Sequence, residues 1–127
     1  MEKKTIRSIV ANKEFLVNLL STANYGYWFT FGTHKDTPKD VYENAQLFND
    51  CCEEMWADVL LNGGFLLVED VEEEKNYKVS LKDIVKGFKT FMIECPRAYA
   101  DIMEGNDDCC DADALIQVIL FGKVVYE

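Results

Sequence analysis

Apolar positions along this chain of 127 residues recur with two different periods, and the switches between them mark out its elements. Over residues 5–22, Ile6, Ile9, Val10, Phe15, Leu16, Leu19 and Leu20 fall mostly three and four apart. That spacing gathers them on one helical face, with an ambiguous start near Asn12 and an end by Asn24. Tyr25-Gly26 stops the pattern, and residues 27–31, dense in aromatic and β-branched side chains, predict a strand leading to Gly32. If strand alternation holds, Tyr27, Phe29 and Phe31 share one face while Trp28 and Thr30 share the other.

Thr37-Pro38-Lys39-Asp40 predicts a helix start, with Thr37 as N-cap, Pro38 where its missing N–H costs nothing, and Asp40 reaching back. Val41, Ala45, Phe48, Cys52, Met55 and Val59 then keep helical spacing, so one long helix should run to Asn62-Gly63-Gly64 with that face buried. Phe65 to Val68 and Tyr77 to Val79 predict a hairpin over 65–79, joined by an acidic turn from Glu69 to Asn76. Ser80 and Asp83 form a second capping box, opening a helix that faces Leu81, Ile84, Val85, Phe88, Phe91 and Met92 inward. Pro96 ends that pattern and begins a short helix through Met103. Ala112 to Phe121 predicts a buried helix, and residues 124–126 a short final strand with paired backbone.

These elements predict an α+β fold in a single compact domain spanning 1–127. Its small antiparallel sheet would hold hairpin 65–79 and aromatic strand 27–31, with 124–126 as a candidate further strand, packed with four or five helices. A hydrophobic content of 49% against only seven Gly and two Pro gives the chain a core large enough to fold. No stretch approaches the roughly 20 apolar residues needed to span a bilayer, and Met1 to Ile6 lacks the apolar run of a secretory signal. A cytoplasmic location without membrane contact is therefore expected.

Charge changes the picture most. From Asp36 to Glu74 there are twelve acidic residues against one Lys, Lys39, and Glu104 to Asp113 adds five more with no basic residue. Residues 1–35 and 75–103 each sum to +3, so the net charge of −10 is held in two blocks. Such segregation implies a partner, because a surface field governs association more than fold. On a continuous helix at about 100° per residue, Glu43, Asp50, Glu54 and Asp58 lie within about 80° of one another, without an i+4 cation to relieve their repulsion. With Glu69, Asp70, Glu72, Glu73 and Glu74 of the hairpin turn they form the candidate docking surface for a basic partner. The helix alone is too sparse to imitate DNA, since duplex DNA carries one charge per about 1.7 Å; a mimic would need both acidic turns on the same side.

Candidate chemistry is otherwise thin. Cys51-Cys52, Cys95 and Cys109-Cys110 make an odd count with adjacent pairs, which suits free, ordinary small buried thiols in a reducing compartment. Adjacent cysteines point apart and His34 is the sole histidine, so no metal site or cofactor is expected. The oxygen-rich stretch Asn106 to Asp113 lacks the alternating ligands and central Gly of a calcium loop. No nucleophile–base pair or glycine-rich phosphate loop stands out, and no enzyme is expected. The alternative is a small-ligand or nucleotide site on the aromatic strand, with Tyr25, Tyr27 and Trp28 as a stacking platform and His34 beside it. Cys51-Cys52-Glu53 and Cys109-Cys110-Asp111 form a faint internal echo, each followed by an apolar run, then Gly64 or Gly122, then a predicted strand.

A small acidic α+β domain with a segregated negative surface resembles the accessory proteins of phages and mobile genetic elements, the anti-CRISPR and anti-restriction proteins among them. The segments Trp56 to Gly64 and Ala114 to Gly122 are similar to those of such mobile-element families. The resemblance implies a non-enzymatic inhibitor that occupies the nucleic-acid-binding surface of a basic partner, and it assigns no individual residue.

The charge distribution predicts that the protein binds no DNA or RNA by itself. Lys82, Lys86 and Lys89, at four and three spacing, are the one basic stripe that could override the field. A labelled oligonucleotide should migrate unretarded at physiological salt; retardation abolished by changing these three lysines to Gln would refute this.

Overall fold

Asn12 divides the first helical segment in two. Its side-chain oxygen accepts from the Phe15 N–H at 3.0 Å, so a short α1 (Ile6–Val10) ends and α2 (Lys13–Ala23) begins with a capped N-terminus. The computed structural model describes residues 5–24, 26 and 28–126, and among them the fold is α+β, with seven helices and one three-stranded antiparallel sheet.

The long helix expected from residue 38 to 62 is broken at Asn49. Its side-chain amide donates to the Ala45 carbonyl at 2.8 Å and to Asp58 Oδ2 at 2.6 Å, while its own side-chain oxygen accepts from Lys13 Nζ at 2.7 Å. By satisfying a helical carbonyl with its side chain, Asn49 frees its backbone to turn extended (φ −132°, ψ 142°). Two helices result, α3 (Lys39–Phe48) and α4 (Cys52–Leu61), and α4 packs along α2. The break takes Phe48 and Cys52 out of the inward face, and Phe48 is 74% exposed. Thr37 does not cap α3 either. Its hydroxyl accepts from the Phe65 N–H at 3.0 Å and donates to the Phe65 carbonyl at 3.2 Å, leaving Pro38 at the N-cap without a side-chain bond.

The sheet has the order β1-β2-β3, with β1 (Phe29–Thr33), β2 (Leu66–Asp70) and β3 (Lys75–Val79). Hairpin 65–79 is formed as expected with a tighter turn, while the aromatic strand sits two residues later than 27–31. Register pairs Phe29 with Asp70, Phe31 with Val68 and Thr33 with Leu66, so the inward row of β2 is Leu66, Val68 and Asp70. Residues 124–126 form no strand. Instead the side chain of Gln117, 2% exposed on α7 (Cys109–Phe121), accepts from the Val125 and Tyr126 N–H groups at 2.7 and 2.6 Å and donates to the Tyr126 carbonyl at 3.0 Å. One amide side chain thus supplies the pairing that a strand neighbour would.

The Ser80–Asp83 capping box opens α5 (Leu81–Glu94), and Pro96 opens α6 (Pro96–Met103) after it. A further capping box, Asp108 with Asp111, starts α7 three residues before Ala112. Met92, expected inward, is 41% exposed. Leu16, Leu20, Leu60, Leu66, Phe88, Phe91 and Leu115 are fully buried and join α2, α4, α5, α7 and the sheet in one core. Among the described residues no helix is long and apolar enough to cross a membrane.

Helices α5 and α7 touch most closely at Gly87, where a Cβ would stand 3.0 Å from the Ile119 Cα and nearer still to its side chain. Helix propensity favours Ala there by about 1 kcal/mol, but overpacking against backbone costs about 1–3 kcal/mol. Gly87→Ala should therefore lower the thermal midpoint, against the propensity, while the same change at exposed Thr90-side positions such as Lys89→Ala should leave it nearly unchanged.

Candidate partner-binding site

Trp28 ties two of the acidic segments together. The side chain is 1% exposed, with its ring packed on Phe29, Phe121 and Tyr126 at centroid distances of 4.6, 5.7 and 4.9 Å. Its indole Nε1 donates to Asp113 Oδ2 at 2.9 Å, in the second turn of α7, and its carbonyl accepts from the Val71 N–H at 2.8 Å, in the hairpin turn. Four residues before Trp28 in the chain, Asn24 Nδ2 donates to Glu53 Oε1 at 3.1 Å, in the first turn of α4. An open cleft of about 630 Å³, lined by Ser21, Thr22, Asn24, Glu53 and Cys109, lies between these helix ends. Trp28 therefore ties the β2–β3 turn to α7, and the first turns of α4 and α7 face one cleft.

This geometry redistributes the expected docking residues. The stripe on one helix does not exist, because the break at Asn49 separates Glu43 from Asp50, Glu54 and Asp58. Asp58 is half-buried and held by Lys13 Nζ at 3.2 Å as well as by Asn49. Glu43 lies 3.8 Å from Lys39, the compensating i,i+4 cation that the stripe was expected to lack. Asp50 is exposed, and Glu54 accepts from the Cys51 thiol at 3.1 Å. Asp70 is 1% exposed and points inward, where it accepts from the Glu72 and Glu73 N–H groups at 2.9 and 3.1 Å and from the Tyr126 hydroxyl at 3.0 Å. It is a structural carboxylate. Glu69, Glu72, Glu73 and Glu74 are exposed, as is Asp108 at the N-cap of α7.

The aromatic alternative loses its central member, since buried Trp28 presents no face to a ligand. His34 is taken up locally: its Nδ1 accepts from the Asp36 N–H at 3.0 Å and its backbone ties to Phe65 and Thr37. Tyr25 and Tyr27 lie outside the described residues. The cysteines are unpaired, and Cys51, Cys52, Cys109 and Cys110 are exposed rather than buried. The Cys110 thiol is pushed up from its ordinary pKa by neighbouring Cys109 and by the charge of Asp108, the opposite of what activates a nucleophile. Among the described residues no three His, Cys, Asp or Glu side chains are placed to hold a metal ion. Both cysteine pairs stand at helix starts, although Cys51-Cys52 was expected inside one long helix, and a strand follows Gly64 but not Gly122.

Sequence reasoning missed the link between Trp28 and Asp113. Its only trace was the pair Asp113 and Gln117, four apart in the apolar run Ala112 to Phe121, joined at 2.6 Å. Compared with known proteins, the chain matches no protein-family model, no curated protein and no solved structure.

The Tyr126 hydroxyl has its pKa pushed up to about 12, first by desolvation and then by its hydrogen bond to the Asp70 carboxylate and that group's charge. A folded-state pKa raised above the ordinary 10 means that the neutral phenol stabilises the fold fully below pH 10. That contribution is lost as pH climbs from about 10 towards 12, because the unfolded chain ionises first. An ultraviolet titration should show one late-ionising tyrosine, and Asp70→Asn should bring its midpoint down.

Proposed function

We propose that the protein is a non-enzymatic, cytoplasmic inhibitor that presents an acidic end to a basic, nucleic-acid-handling protein and occupies the surface that would hold phosphate. The observation that carries this reading is the pair of contacts at Trp28, which ties the acidic hairpin turn to α7, together with the cleft shared by the first turns of α4 and α7. The docking carboxylates are then Glu69 near the end of β2, Glu72, Glu73 and Glu74 of the hairpin turn, Glu53 and Glu54 at the start of α4, and Asp108 at the N-cap of α7. Asp50 flanks them on the chain, whereas Asp58 and Asp70 are occupied within the protein. Pooling the turns supports the reading further, since it raises charge density above that of a single helix, the shortfall against duplex DNA.

Rim charges mainly set the rate of association and its salt dependence. Pull-down against basic nucleic-acid enzymes at low and high salt would supply the partner. Changing Glu72, Glu73, Glu74 and Glu54 together to Gln should then slow association at least several-fold and flatten its salt slope, with the thermal midpoint unchanged or slightly raised as like charges are removed. Unchanged rate and slope in that variant would rule out the acidic end as the docking surface.

A further inference from the structure

Two exposed helix faces carry the same spacing with opposite charge. On α3, Asp40, Glu43 and Leu47 lie at i, i+3 and i+7, and on α5, Lys86, Lys89 and Ile93 repeat that spacing. At about 100° per residue, each trio falls within about 60° of arc, a single stripe about 10.5 Å long. Both stripes end in apolar residues that the fold leaves uncovered: Leu47 is 75% and neighbouring Phe48 74% exposed on α3, Ile93 74% and Met92 41% exposed on α5. Lys82 extends the basic stripe by one more turn.

Among the described residues neither face is spent on packing. Helix α3 packs chiefly on α4, and of its described residues Ala45 alone is buried. Asp40, Lys82, Lys86 and Lys89 make no ion pair among the described residues, and Glu43 meets Lys39 only at the surface, in a 3.8 Å contact of a kind worth little and readily exchanged.

From this complementarity we infer that a second copy of the chain is the occupant, the α3 face of one copy docking on the α5 face of another. With the two helices parallel, Asp40 meets Lys86, Glu43 meets Lys89, and Leu47 and Phe48 cover Ile93 and Met92. The apolar end supplies contact area, and the charged end fixes direction and register, because sliding or reversing the helices sets bare charges against apolar groups. Each copy carries one of each face, so the contact is heterologous and can add further copies. Copies of net charge −10 repel at long range. At physiological ionic strength, however, the Debye length is about 8 Å, so local stripes rather than whole-molecule charge govern close approach. A face of about two helical turns is smaller than the roughly 800 Å² per partner of a standard interface, which makes the association weak and concentration-dependent.

Sedimentation equilibrium of the full chain tests this. In physiological salt the weight-average mass should rise from the 14.6 kDa monomer at low concentration to about twofold or more towards millimolar protein, as a subthreshold interface requires. It should fall back in about 1 M sodium chloride, where the Debye length is about 3 Å. The double variants D40K/E43K and K86E/K89E, each folded by circular dichroism, should stay monomeric alone and associate when mixed, because each then offers the other a matched pair of stripes. Leu47→Ser should weaken association without touching any charge. The inference is overturned by a wild-type monomer at every concentration, by association that survives in both charge variants, or by folded variants that fail to associate when mixed. A wild-type monomer that instead binds a synthetic basic amphipathic peptide through α3 would overturn it in favour of a foreign partner.

Discussion

Everything at the acidic end depends on one hydrogen bond made in a nonpolar setting, from the Trp28 indole to Asp113. The indole is too large to bury without a partner for its N–H, and an unpaired buried donor costs about 1–3 kcal/mol. The partner here is a carboxylate 85 residues away, which also holds Gln117 through its other oxygen. Gln117 in turn anchors the backbone of residues 125 and 126, and Tyr126 reaches Asp70 at the end of β2. A chain of four polar side chains therefore runs from α7 through the C-terminal segment to the hairpin, lying against the aromatic cluster of Trp28, Phe121 and Tyr126. Removing Asp113 would leave both the indole and the Gln117 amide short of an acceptor, so these links act together rather than as independent bonds.

The elements legible in the sequence were those whose signal is local. The capping box at Ser80, the proline start at Pro96, the hairpin and the apolar face of α5 up to Phe91 are each written within a few residues, and each is formed. What was not legible involves a local signal outcompeted by a distant group. Thr37 carries every mark of an N-cap, yet the backbone of Phe65 takes its hydroxyl, because β2 must begin beside it. Asn49 sits in an unbroken helical period, and only Asp58 and Lys13, folded against it, make a break favourable. Val124 to Tyr126 reads as a strand by composition but finds a side chain rather than a strand as its partner.

The candidate site was legible in charge and not in geometry. Glu69, Glu72, Glu73 and Glu74 needed only a turn, which the hairpin pattern supplied. The stripe from Glu43 to Asp58 needed an uninterrupted helix and failed with it at Asn49. Trp28 looked like a ligand platform because aromatic residues in a strand do not reveal from composition which face is covered. Its burial follows from Asp113, which no periodicity connects to it.

Counting carboxylates therefore overstates the field available to a partner, and the structure separates the two kinds. Asp58, Asp70, Asp83, Asp108, Asp111 and Asp113 accept hydrogen bonds from caps, turns or buried donors, and each fixes a backbone or side chain in place. All of them are aspartates, whose short side chain reaches neighbouring backbone N–H groups where glutamate overshoots. The exposed carboxylates of the hairpin turn are all glutamates, and the shape of that turn is set beneath them by Asp70, which holds the Glu72 and Glu73 N–H groups whatever their side chains do. Mutual repulsion among Glu72, Glu73 and Glu74 is thus borne by a turn that an interior carboxylate has already closed. That division lets an acidic surface concentrate at the hairpin turn without the fold resting on it.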